Sequence, residues 1–145
     1  MRLARSSFIT WLEGLVAQTS VSTVVIEDDQ PFAPPQWSVN FLSEGDGYAG
    51  RWSGLVQIDY YRTDGDTNLA GSDTDVLLRA MGLAANPAIA IATLPLLDAS
   101  ANPTPSVVNV RLFKGKGWQR VKPVVPAPLD RHFMLTLELR YPLLA

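Results

Sequence analysis

The chain has 145 residues, 47% of them apolar, with a formal net charge of −2 and no cysteine. Those values suit one domain over residues 1–145 with one ordinary core. They exclude a disordered chain, and the lack of cysteine excludes disulfides, thiolate metal sites and cysteine nucleophiles. The mild acidity gives no overall electrostatic footprint for nucleic acid, and no run of about 18 apolar residues is there to span a membrane.

Arg2 and Arg5 precede an apolar stretch that Glu13 and Gly14 interrupt. No small-residue cleavage site follows cleanly, so the stretch reads as a helix of the mature chain rather than a signal peptide. Phe8, Trp11, Leu12, Leu15 and Val16 recur at helical spacing and predict a core-packing helix ending near Gln18, with Ser6, Ser7 and Glu13 off the packed face. The β-branched run Val24, Val25 and Ile26 stops at Glu27, Asp28 and Asp29, and then at Pro31, Pro34 and Pro35. A strand is expected over 36–42 with Trp37, Val39 and Phe41 on one side, followed by a flexible glycine-containing segment over 43–50.

The clearest strand covers 51–62, where Trp52, Val56, Ile58 and Tyr60 alternate with Ser53, Gln57, Asp59 and Tyr61; Gly54 and Leu55 blur its start. A polar turn over 63–68 leads to a helix predicted over 72–83. Ser72 or Asp73 is its expected cap, and Gly82 with Asn86-Pro87 marks its end. Residues 88–94, with isoleucines alternating with alanines, read as a strand, and 95–106 as a long proline-rich loop. A hairpin is expected from Val107–Phe113, the turn Lys114-Gly115-Lys116-Gly117 and a return strand over 118–125. In the last strand, over 131–141, Phe133, Leu135, Leu137, Leu139 and Tyr141 alternate with His132, Met134, Thr136, Glu138 and Arg140. The helices do not alternate with the strands, so the expected fold class is α+β: a mainly antiparallel sheet with two helices packed on one face.

Few residues suit catalysis. The one histidine, His132, falls on the polar face of a strand, where a surface role is the plain reading. Asp64, Asp66, Asn68 and Asp75 match part of a Ca²⁺ loop, but Leu69 stands where the sharp turn needs glycine and a strand precedes it; a polar turn with a helix cap fits better. The Lys-Gly-Lys-Gly run lacks the Ser/Thr and following helix of a phosphate loop. Asp28 and Asp29 are an ordinary solvated pair, and no glycosidase-like carboxylate arrangement stands out. No enzyme activity, metal or cofactor is expected. The candidate protein-interface residues are Asp64 and Asp66 in the polar turn and Lys114, Lys116 and Trp118 in the hairpin.

Three parts of the chain carry a likeness: the opening helix, the strand 54–61 with its polar turn and the helix 73–82, and the closing strand 133–141. In that order they resemble the tail terminator (tail completion) proteins of long-tailed bacteriophages. The resemblance implies a structural virion protein, made in the host cytoplasm, that forms a homohexameric ring at the head-proximal end of the tail. Its implied partners are further copies of itself, the tail tube protein and the head-side connector protein. DNA would pass through the lumen without specific binding. A head-tail stopper or head completion protein of the neck, and a non-viral interaction module, are the alternative readings.

Overall fold

A computed structural model describes residues 2–26, 33–47, 51–122 and 127–142 of the chain. Helix α1 (Arg2–Val16) is followed by β1 (Val24–Ile26), β2 (Gln36–Gly47), β3 (Arg51–Arg62), α2 (Thr67–Ala80), β4 (Ala92–Leu97), β5 (Pro103–Leu112), β6 (Gln119–Arg120) and β7 (Arg131–Pro142). The strands form one sheet in the order β1-β2-β3-β7-β5-β4, with β6 also on β7. Among the described residues only the β1–β2 pairing is parallel. The fold is therefore α+β, as the distribution of helices and strands predicts.

Period-two alternation on β2, β3 and β7 puts one row of apolar residues on the inner face. The register aligns Trp37 with Tyr60 and Phe133, Val39 with Ile58 and Leu135, and Phe41 with Val56 and Leu137. Gly54 belongs to the same row. A Cβ there would lie 2.6 Å from Trp52 Cη2 and 3.0 Å from the Ser43 carbonyl oxygen, so the apparent break in the pattern is the space the Trp52 indole fills. The sheet packs both helices against this face. Ala4, Phe8, Leu12 and Val16 of α1 and Ala70 and Leu77 of α2 share one core cluster with the strand residues. Ser7, expected off the packed face, is buried: its Oγ donates to the Leu3 carbonyl and accepts from the Leu97 amide at 2.8 Å, which ties α1 to the edge strand β4.

From the β3–α2 turn onward, four expectations change. Helix α2 begins five residues earlier than predicted, capped by Asp66, whose side chain accepts from the Leu69 amide. It ends at Ala80, three residues before the expected 83, but at the expected Gly82 stop: Gly82 (φ 77°) donates to the Arg79 carbonyl and Leu83 to that of Leu78, a Schellman motif. Residues 86–90 form a turn instead of a strand, with Ile89 and Ala90 both donating to the Asn86 carbonyl. Most of the expected loop over 95–106 is hairpin. Its strands β4 and β5 are joined at Asp98, whose carboxylate accepts from the Ser100 and Asn102 amides. Pro95 is tolerated because β4 is an edge strand.

The fourth change concerns 107–125. β5 and β6 do not pair with each other. Both lie antiparallel to β7, β5 against residues 137–140 and β6 against 133–134, so the chain runs on in one direction. Lys114 (φ 55°, ψ 26°) and Gly115 (φ 68°) do form a type I′ turn, with Lys116 donating to the Phe113 carbonyl. The turn makes a step between two strand segments rather than a hairpin. Of the expected flexible segment over 43–50, residues up to Gly47 belong to β2; the remainder, like the acidic cluster 27–29, lies outside the described residues.

Candidate interaction surface

The polar expectations around α2 resolve into two groups. The inner group centres on Asp73, which is buried on α2 and does not cap it. Its carboxylate accepts from the Ser20 amide (2.8 Å), the Ser20 hydroxyl (2.5 Å) and the Tyr60 hydroxyl (2.8 Å), with Arg62 Nη1 at 3.8 Å. Arg62 also donates to the Tyr60 hydroxyl and, through Nε, to Asp64. Burial, partly offset by the Arg62 bond, pushes the Tyr60 hydroxyl up to about 12. The group joins the α1–β1 connection, β3 and α2 in one satisfied network, which is a structural assignment.

The outer group is the β3–α2 turn. Asp64 accepts from the Asp66 amide and from Arg62, and those bonds hold its carboxyl below the usual carboxylate range. Asp66 caps the helix, and Asp75 pairs with Arg79 at 3.1 Å. The partial Ca²⁺ pattern is thus turned toward local partners, and no metal-competent group of three acidic or histidine side chains occurs among the described residues. Asp64 remains half exposed at the surface.

His132 lies on the outer sheet face, as expected, but is half buried. Its Nε2 is 2.7 Å from the buried Asp59 carboxylate, which also accepts from Gln57, and its ring stacks on Tyr61 at 4.2 Å. The adjoining cleft, lined by Tyr61, Thr63, Asp130, Arg131 and His132, has a volume of about 120 Å³. Pockets for drug-sized ligands span roughly 300–1,000 Å³.

The step between β5 and β6 carries the other candidates. Trp118 turns inward: its Nε1 donates to the Thr74 carbonyl at 2.9 Å and its ring lies 5.8 Å from that of Trp37. It anchors the segment to α2 and β2. Lys114 and Lys116 are exposed. They border a cleft where β7, at Leu135 and Thr136, has no strand partner on this side. A Cβ on Gly115 would sit 3.1 Å from Ala88 Cα, so the turn abuts the segment that carries Ile89 and Ile91. Those isoleucines are 77% and 59% exposed. The sequence reading missed them because Ile-Ala alternation imitates a half-buried strand. The one available signal was Asn86-Pro87, which starts a turn.

No protein-family model matches the chain, and no curated protein matches it. Among solved structures, one chain of the virion of native gene transfer agent (GTA) particle is similar to it. The identity is 12% and the TM-score 0.45, over 94% of this chain and 92% of that one. That is a loose likeness of chain path and says nothing of role.

Proposed function

We propose that this chain is a structural protein of a phage-like virion, a tail-terminator-like subunit. It forms a ring at the head-proximal end of the tail tube, ends tube polymerisation and joins the tail to the head connector. Two things support the reading. The order of elements resembles that family, and the chain exposes two isoleucines on a segment that abuts the Lys114–Lys116 turn. The observation that carries the docking role is the pairing of exposed Ile89 and Ile91 with Lys114 and Lys116 across the Gly115–Ala88 contact. An apolar centre beside a charged rim is the anatomy of a protein interface, and two large apolar side chains together differ from singly scattered ones. In this reading DNA passes the lumen without specific contact, and the chain performs no chemistry.

The test is immunogold electron microscopy of particles from cells expressing the chain, with the double variant Ile89→Asp/Ile91→Asp alongside. Label at the head-tail junction, lost together with tail joining in a variant that keeps its circular dichroism, is the expected result. Particles that carry no label, or a variant that joins tails normally, would overturn the proposal.

A further inference from the structure

The charge of this chain is strongly polarised along its length. Residues 1–110 hold twelve of its fourteen acidic residues and five of its twelve basic ones. All three lysines fall between 114 and 122, and the stretch 111–122 adds Arg111 and Arg120 and contains no acid. The stretch 63–78 is its opposite, with four aspartates and no basic residue.

The structure keeps the part of the basic stretch from Lys114 to Lys122 uncompensated among the described residues. Lys114, Lys116, Arg120 and Lys122 are all exposed, and none has a carboxylate within ion-pair distance among the described residues. Arg62, Arg79, Arg111, Arg140 and His132 by contrast each have at least one. The backbone beneath the cations is fixed. Trp118 is bonded to Thr74, Gln119 and Arg120 pair with β7, and Val121 donates to the His132 carbonyl. Although Trp118 brings this segment against α2, no ion pair joins it to an aspartate of its own chain among the described residues. Asp64 and Asp75 keep half of their side-chain surface in solvent.

A cationic strip and an acidic turn that form no ion pair with each other within one chain are two different, complementary patches. Contact between different patches propagates head to tail and closes when the rotation allows. We infer that the strip Lys114–Lys122 of one copy docks on the β3–α2 turn and first turns of α2 of the next copy, facing Asp64 and Asp75. The inference rests on the ring reading and names its interface.

The test is a charge swap in the full chain. One variant is K116E/K122E; the other is S72K/D75K, which leaves the Asp66 cap and the Asp64–Arg62 pair intact. Self-association is measured by sedimentation across a salt series. Wild type should associate more weakly as salt rises. Each variant alone should lose about tenfold or more in affinity at low salt. An equimolar mixture of the two should recover association, because the reversed charges again face each other. If wild type assembles but neither variant nor salt changes it, the ring reading stands and this interface is wrong. If the mixture fails to recover while both variants keep their melting temperatures, the two patches do not meet. If wild type stays monomeric at every concentration, both the interface and the ring are refuted. Binding of a short DNA duplex that K116E/K122E abolishes, with self-association intact, assigns the strip to nucleic acid and overturns the inference.

Discussion

Replacing Asp73 by alanine tests the central polar assignment. The carboxylate is buried and accepts three hydrogen bonds, two from Ser20 and one from Tyr60, with the Arg62 guanidinium at 3.8 Å. Removing it leaves the Ser20 amide without its acceptor and takes one of two carboxylates away from a nearly buried arginine. Breaking a buried charged pair costs about 3–5 kcal/mol. Arg62 keeps Asp64 and the Tyr60 hydroxyl, so the lower part of that range, about 3 kcal/mol, is expected. For a chain of this length that is a fall in Tm of roughly 10 °C. Asp66→Ala is the comparison, because it removes only a helix cap worth about 1 kcal/mol. Urea unfolding followed by tryptophan fluorescence measures both. If Asp73→Ala costs no more than Asp66→Ala, Asp73 is not the hub of the network and the argument fails.

Two further outcomes follow from the core. Gly54→Ala forces the Trp52 indole or the Ser43 backbone to move, since the new Cβ meets them at 2.6 and 3.0 Å; overpacking of this kind costs about 1–3 kcal/mol, and a melting temperature equal to wild type would show that Trp52 yields freely. The Tyr60 hydroxyl, raised to about 12 in the folded chain from 10.0, is favoured neutral by folding. The unfolded chain therefore loses that proton first as pH rises, and stability falls between about pH 10 and 12 by at most roughly 2–3 kcal/mol. Tyr60→Phe should flatten that part of the pH–stability curve, as read by chemical denaturation.

Strong periodicity made much of the fold legible. Helix α1, the strand β3 and the strand β7 were readable to within about two residues because each has one face in the core and one outside it. Burial then imposes its period on the sequence. Gly82 was legible as a helix end because only a left-handed residue closes that motif cheaply. The errors have two physical origins. Asp73 resembles a cap, the isoleucines at 89 and 91 resemble a strand, and Lys114-Gly115 resembles a hairpin turn. Asp73 and Lys114-Gly115 were misassigned because their partners lie far away in the chain, whereas Ile89 and Ile91 were misassigned because the Ile-Ala pattern outweighed the Asn86-Pro87 turn signal.

The sequence by itself determined the class of fold, most of the packed faces and the absence of cysteine with a single histidine, all of which depend on near neighbours and composition. Only the tertiary structure decided which polar residues face inward and which charges stay unpaired. Those outcomes depend on contacts such as Ser20 with Asp73 and Trp118 with Thr74, which lie 53 and 44 residues apart. No local pattern encodes a partner at that distance, and the candidate docking surface is built from the charges and isoleucines that such contacts leave outside.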